Sequence, residues 1–142
     1  IALSLPVIVL PAAATPLLQG LSERRSAHGF VAELRPHLTP QTEVIGIEAF
    51  TGSMQFYLGR RITLITEDAS EMTSNYLMRR YQRYTSDPRS PLRPLSQLAT
   101  SLAAQHRRVY VVRAKDTHWR RLLESHGWRE VAAGGHHVAY AR

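Results

Sequence analysis

The sequence contains no cysteine and a single lysine, Lys115. The absence of cysteine excludes disulfide bridges, thiolate zinc sites and cysteine nucleophiles. Because lysine is nearly absent, the 18 basic residues are almost all arginine, and with 11 acidic residues they give a net charge of +7. The chain therefore presents a basic, arginine-rich surface, and the guanidinium group is suited to bidentate contact with phosphate.

Several common chemical motifs are missing as well. Residues 49–53, which follow the first predicted strand, contain one glycine and no lysine, so a glycine-rich phosphate loop is excluded. No Gly-x-Ser-x-Gly nucleophile elbow is present. His136 and His137 are neighbours on a predicted strand and point to opposite faces, whereas His118 and His126 are about 12 Å apart along a helix. We therefore predict no metal site and no catalytic residue in this chain.

One acidic pair, Glu67-Asp68, directly follows a predicted strand. That position is a common one for a functional site in an open α/β sheet. The same carboxylates would also solvate a loop and favour the N-terminus of the helix that follows. We favour this second interpretation.

Residues 1–18 carry no charged side chain. This apolar run approaches the length of about 20 residues that spans a bilayer, and it contains Pro6, Pro11 and Pro16, which membrane helices tolerate better than soluble ones. We expect it to be the end of a transmembrane helix that begins before this sequence, followed by a soluble domain over residues 19–142. Two alternatives stay open: a signal peptide cleaved near residues 12–14, and an apolar arm buried on the domain.

From residue 22 onward, helical and strand patterns alternate. Predicted helices cover residues 22–38, 53–58, 70–84, 96–106 and 116–126. Predicted strands cover residues 43–50, 62–66 and 109–114, and a hairpin pairs residues 128–132 with 137–141 around Gly134-Gly135. The proline-rich residues 87–94 are predicted to be a flexible loop. This order predicts an α/β domain with a mostly parallel sheet, helices on both faces and a C-terminal antiparallel hairpin.

The predicted helix that begins at Ser70 combines arginine with tyrosine. Arg79, Arg80 and Arg83 share one side of it, and the tyrosines at 81 and 84 lie on another. Arginine beside aromatic residues is typical of nucleic-acid or phosphate binding, so a small arginine-rich nucleic-acid-binding domain is one alternative function. We favour an amphipathic helix with half-buried tyrosines and solvated arginines, and nucleic acid is not an expected partner.

Residues 53–65, SMQFYLGRRITLI, resemble the helix-to-strand junction near the end of bacterial membrane glycosyltransferases. These are the aminoarabinose-transferase-like relatives of the dolichyl-phosphate-mannose protein mannosyltransferases, the GT-C family. In that family a bundle of transmembrane helices is followed by a small soluble α/β domain on the periplasmic side. The order of features in this sequence is similar to that of the family: an apolar segment is followed by a predicted helix and then by EVIGIEAF, FYLGRR and ITLIT.

The resemblance implies a protein of the bacterial inner membrane that transfers a sugar from a polyprenyl-phosphate donor, with this domain on the periplasmic side. The family's catalytic carboxylate and divalent metal belong to parts outside this sequence, so the chain is expected to hold no cofactor and to support the chemistry without performing it. Its expected partners are membrane lipid, the donor and the transmembrane part of the same chain. By the same resemblance, Tyr57, Arg60 and Arg61 are expected to contact a donor phosphate or the membrane surface. A non-enzymatic exported binding module is a further alternative.

Overall fold

The computed structural model describes residues 27–50, 52–104 and 106–142. Six strands form one sheet: β1 Glu43–Ile47, β2 Thr63–Thr66, β3 Leu92–Pro94, β4 Arg108–Arg113, β5 Arg129–Gly134 and β6 His137–Ala141. Their order across the sheet is β3-β2-β1-β4-β6-β5. The first four strands are parallel, β6 pairs antiparallel with β4, and β5 pairs antiparallel with β6. The predicted α/β class, with a mostly parallel sheet and a C-terminal hairpin, is confirmed.

Helices cover both faces of the sheet, as predicted. The α-helices are α1 His28–Leu34, α2 Gly52–Leu58, α3 Asn75–Arg79, α4 Tyr81–Ser86, α5 Leu98–Ala103 and α6 Thr117–Ser125. On one face, Phe30 of α1 and Met54 of α2 pack in the same buried cluster as Val44 of β1. On the other face, Leu102 of α5 and Leu123 of α6 share a cluster with strand side chains. The two clusters lie on opposite sides of β1 and β4.

The central strands are apolar because both of their faces are covered. In β4, Val109 and Val111 belong to the cluster beneath α1 and α2, whereas Tyr110 and Val112 belong to the cluster beneath α5 and α6. All four side chains are at most 1% exposed. A near-continuous apolar run is the pattern expected of a parallel strand that lies between two layers of helices.

The predicted first helix ends earlier than expected. Phe30, Val31 and Leu34 are buried at helical spacing, which confirms the predicted apolar face. The α-helix stops at Leu34, and Pro36 lies in a following 3₁₀ turn, Arg35–His37. Proline lacks the N–H that would continue the helical ladder, so the tighter turn replaces the last turn of α-helix.

The predicted helix over residues 70–84 is wrong. The chain instead forms a 3₁₀ turn, Ser70–Met72, followed by the separate helices α3 and α4. Ala69 and Thr73 have φ angles of 63° and 51°, in the left-handed region that ends a helical path. The Ser74 side chain then accepts a hydrogen bond from the backbone N–H of Leu77 and caps α3. A second break lies at Arg80, where α3 has ended and α4 has not begun, so Arg79, Arg80 and Arg83 do not lie on one continuous helix.

The predicted flexible loop contains a strand. Leu92–Pro94 pairs with β2 as the outer strand β3. Proline is tolerated in an outer strand because one side of the strand forms no hydrogen bonds with a neighbouring strand. The Arg93 guanidinium donates to the carbonyl oxygens of Ser90 and Pro88, at 2.7 and 3.0 Å, and fixes the turn that precedes the strand.

The described residues include no helix long and apolar enough to cross a bilayer. The predicted transmembrane segment, residues 1–18, lies outside them, as do residues 22–26 of the first predicted helix. That segment and the domain boundary at residue 19 therefore stay predictions.

Candidate functional site

The sheet has two edges formed by the ends of its strands, and the residues at these two edges differ in charge. We call the edge where the four parallel strands begin the amino edge, and the opposite one the carboxyl edge. Arginines gather along the amino edge, in the connections and strand ends that lie there: Arg35, Arg60, Arg61, Arg89, Arg107, Arg108, Arg129 and Arg142. Two carboxylates in these connections and strand ends have partners: Glu43 is paired with Arg108, whose Nε donates to it at 2.9 Å, and Asp87 accepts a hydrogen bond from the Arg89 backbone N–H at 2.9 Å. The amino edge is therefore strongly cationic.

Carboxylates instead follow the parallel strands at the carboxyl edge. Glu48 comes directly after β1, Glu67 and Asp68 come after β2, and Asp116 lies between β4 and α6. The Asp68 carboxylate accepts a hydrogen bond from the Ser70 backbone N–H at 2.8 Å, and this bond lowers the pKa of Asp68 below its ordinary value. Asp68 thus shapes the turn after β2, which agrees with the loop role favoured from the sequence.

Arg60 joins two connections at the amino edge. Gly59, at a φ of 64°, ends α2 in the left-handed conformation that glycine allows, and the chain turns toward β2. Arg60 Nη1 then donates to the carbonyl oxygens of Thr39 and Thr42, at 2.9 and 3.0 Å. The guanidinium therefore holds the loop before β1 against the α2–β2 junction.

Replacing Arg60 by methionine is expected to lower the free energy of unfolding by about 1–2 kcal/mol, because two hydrogen bonds from a charged donor to half-buried carbonyls are lost. Urea unfolding measures the change. Arg61→Met is the matched control: its side chain is exposed and makes one long contact, 3.4 Å to the Arg89 carbonyl oxygen, so a change within about 0.5 kcal/mol is expected. Equal losses in the two variants would contradict the bracing role.

The three residues predicted to bind lipid phosphate occupy one junction but have different surroundings. Tyr57 is half-buried, with its ring edge-on to those of His28 and Phe56 at centroid distances of 5.2 and 5.4 Å. Arg60 is bound to protein carbonyls, and Arg61 is exposed. Of the three, Arg61 is the most accessible to a ligand, and a phosphate-contacting role for the trio stays a prediction.

Phe56 is the unexpected member of this junction. The apolar run at residues 56–58 predicts that Phe56 packs beneath the sheet, but its side chain is 80% exposed. It lines a shallow groove of about 520 Å³ together with Gly59, Arg60 and Arg61. The junction thus presents an aromatic ring and guanidinium groups on one surface, which we call the junction surface.

A deeper cavity of about 350 Å³ lies further along the amino edge, between the loop before β1, the start of β4 and the end of β6. Three arginines and two histidines line it: His37, His106, Arg107, Arg108 and Arg142. The sequence gives one signal for it, the pair Arg107-Arg108 directly before a predicted strand. The β4–β6 pairing, with Val109 opposite Ala141, is what brings Arg142 to the same place.

A second crevice lies at the carboxyl edge, where the connections of β1 and β4 leave for opposite faces of the sheet, the usual ligand position in open α/β folds. Glu48 there has a φ of 47°, and its carboxylate accepts a hydrogen bond from the Trp119 indole at 3.0 Å. Arg113, Lys115 and Asp116 line the same crevice. Among the residues that the structure describes, no cluster of histidines and carboxylates could hold a metal ion.

His137, the first residue of β6, is buried at the carboxyl edge, whereas its neighbour His136 is exposed in the turn between β5 and β6. The two histidines therefore do not share a strand as predicted, and both line one cavity beside Arg113. Burial lowers the pKa of His137 to about 4 from the ordinary 6.5, and the positive charges of His136 and Arg113 act in the same direction. The folded protein therefore keeps this imidazole neutral in a pH range where the unfolded chain binds a proton.

Stability should therefore fall as the pH drops from 6.5 toward 4, because only the unfolded state is protonated at residue 137 in that interval. The full pKa difference corresponds to about 3 kcal/mol, and partial solvation of the ring reduces the expected loss to about 2 kcal/mol. The His137→Gln variant should lack this component, as measured by urea unfolding across the interval. His118→Gln is the control, and a wild-type pH slope in the residue 137 variant would contradict the assignment.

Comparison with known proteins identifies the fold. No protein-family model matches the chain, and no curated protein matches it. Among solved structures, ArnT from Cupriavidus metallidurans bound to undecaprenyl phosphate is similar at a TM-score of 0.64 and 16% identity, over 85% of this chain. The same protein in the apo state is similar at a TM-score of 0.62 and 16% identity, over 83% of this chain. The chain shares the fold of a part of ArnT.

That part is small. The similarity covers 20% of the ArnT chain in each structure, so this sequence spans about a fifth of the length of those proteins. At 16% identity the likeness establishes a common fold for the described domain.

Proposed function

We propose that the chain is an accessory domain of an integral-membrane glycosyltransferase of the GT-C type that uses a polyprenyl-phosphate sugar donor. The observation that carries the proposal is the shared fold: 85% of this chain superimposes on a fifth of ArnT, which is an aminoarabinose transferase of that type. The junction sequence FYLGRR supports it independently, because its residues resemble the helix-to-strand junction of the same family. One of the two ArnT structures is bound to undecaprenyl phosphate.

The role we propose for the domain is to support the active site. The catalytic carboxylate, in a periplasmic loop near the start of the protein, and a divalent metal would then lie beyond this sequence. Arg60, which the resemblance suggests as a phosphate ligand, is better suited to bracing, because its guanidinium is bound to two backbone carbonyls. Arg61 and Arg107, which are exposed and form no ion pair with the described residues, keep their charges available for an anionic partner.

The cationic amino edge is the surface that we propose faces the membrane. Each arginine near an anionic lipid surface contributes about 1 kcal/mol to binding, and an aromatic ring such as Phe56 is stabilised at the boundary between headgroups and acyl chains. Phe56 and Arg61 share one groove, so both could reach that boundary together. We place the domain on the periplasmic side of the bacterial inner membrane.

Two results test the proposal. The coding sequence that precedes Ile1 is expected to encode a series of hydrophobic spans, and removal of residues 19–142 from that protein is expected to reduce sugar transfer from a polyprenyl-phosphate donor while the spans still insert. A preceding sequence without hydrophobic spans would overturn the proposal. Salt-sensitive nucleic-acid binding that is lost when Arg79, Arg80 and Arg83 are replaced together would instead support the nucleic-acid alternative.

A further inference from the structure

The cavity at the amino edge is lined by cationic and neutral groups. We call it the cationic pocket and define it by His37, Thr42, His106, Arg107, Arg108 and Arg142. None of its described lining residues has an acidic side chain. A volume of about 350 Å³ lies within the range of small-ligand sites, and leaves room for a phosphate group and part of the molecule that carries it.

Two of the three guanidinium groups in this pocket form no ion pair with a described acidic side chain. Arg108 is paired with Glu43 at 2.9 Å. Arg107 is exposed, and Arg142 lies over the Trp128 ring with 4.9 Å from its guanidinium carbon to the ring centroid. Neither forms an ion pair with another residue of the described part of the chain. Positive charge is therefore in excess inside a concave site.

The walls of the pocket are held in place. Arg60 donates to the carbonyl oxygens of Thr39 and Thr42, so the loop on one side of the pocket is fixed. Arg142 also donates to the His126 carbonyl oxygen, which anchors the opposite side. Trp128 lines the pocket as well, and its buried indole N–H has no hydrogen-bond partner among the described residues. Fixed donors bind an anion at a lower entropic cost than mobile ones.

We propose that the cationic pocket binds the phosphate group of a phosphomonoester or a pyrophosphate. Such groups carry more than one negative charge and several acceptor oxygens, which matches the two guanidinium groups that form no ion pair, Arg107 and Arg142. The inference rests on the proposed function only for the source of the phosphate: the pocket opens on the amino edge, so a lipid headgroup is the source expected there.

Pyrophosphate and inorganic phosphate are the probes for the 142-residue chain. The sequence has two tryptophans, and Trp119 lies at the carboxyl edge, so a Trp119→Phe background leaves Trp128 as the reporter inside the pocket. Pyrophosphate is expected to change its emission in a saturable way. Arg107→Glu should weaken binding at least tenfold, roughly the effect of losing one charge-assisted contact, and Arg142→Gln should weaken it in the same direction.

Arg121→Glu is the matched control, because it makes the same charge change at an exposed position on α6. Binding within about twofold of the parent is expected for it. If both reversals weaken binding equally, general charge attraction accounts for the result and the site is overturned. A flat Trp128 response together with no heat of binding in calorimetry would also overturn it.

Competition between vesicles and pyrophosphate identifies the source of the phosphate group. Vesicles of phosphatidylcholine with phosphatidic acid should displace pyrophosphate, and vesicles of phosphatidylcholine alone should not. Saturable pyrophosphate binding without displacement would support the site while assigning it a soluble phosphate. The proposed function and the proposed pocket can fail separately. If the preceding sequence encodes no membrane spans, pyrophosphate should still bind to the pocket. If the pocket binds no pyrophosphate, the junction surface should still bind vesicles.

Discussion

Gly46→Ala is expected to destabilise the domain by at least about 3 kcal/mol, a large part of the stability of a domain of this size. A Cβ atom at residue 46 would lie 2.2 Å from the carbonyl oxygen of Ala49, far inside van der Waals contact, and 3.4 Å from Leu64. The strand cannot shift to make room, because residue 46 is paired with Leu64 of β2 on one side and Val111 of β4 on the other.

Gly29→Ala is the matched control, since a Cβ atom there would meet no atom within 4 Å. Gly29 lies in α1 and is exposed, so alanine should leave the stability unchanged or raise it by up to about 1 kcal/mol. The midpoint of urea unfolding measures both variants. A Gly46→Ala protein within about 1 kcal/mol of the parent would show that the turn after β1 is not as closely packed as described.

The elements that the sequence predicts well are those with a strong local signal. The valine run of β4 and the glycine pair of the hairpin each determine their structure within a few residues, although the turn itself is one residue later than predicted, at Gly135-His136. The end of α2 is equally local, because Gly59 takes the left-handed conformation that closes a helix. Together these signals are enough to fix the α/β class.

Other elements depend on contacts that no local pattern shows. β3 is a three-residue outer strand that contains Pro94 and is stabilised by its pairing with β2. The break before α3 depends on Ala69 and Thr73 in left-handed conformations, and neither residue type marks such a break in a sequence. Ala69 is completely buried beside Leu64 and Leu92, so tertiary packing holds the turn.

The candidate site is predictable only in part. The junction motif locates Arg60 and Arg61, but the sequence cannot show that one guanidinium braces a loop while the other is exposed. It also provides no reason to group Arg107 with Arg142, which the antiparallel pairing of β4 and β6 brings together. The difference in charge between the amino edge and the carboxyl edge likewise depends on how the strands are arranged in the sheet.

The Phe56→Ser, Arg61→Glu double variant is expected to bind anionic vesicles about 100-fold more weakly than the parent chain. Reversing one charge near an anionic surface costs about 2 kcal/mol, and loss of the ring from the headgroup boundary adds about 1 kcal/mol. Together these correspond to about two orders of magnitude in affinity. Because residues 1–18 are present in every variant, their own lipid affinity cancels in the comparison.

Tyr76→Ser, Arg79→Glu is the matched control for this experiment. It makes the same charge change and removes an aromatic side chain that is 54% exposed, but on α3, which follows the carboxyl edge. General loss of positive charge would affect both double variants equally. A difference between them therefore reports which surface of the domain meets the membrane.

Co-sedimentation with vesicles of phosphatidylcholine and phosphatidylglycerol, at physiological salt, tests the orientation of the domain most directly. The junction-surface variant should lose about 100-fold in affinity, and the α3 variant should stay within about threefold of the parent. Equal binding by the parent and the junction-surface variant, or equal losses in the two variants, would contradict a membrane-facing amino edge.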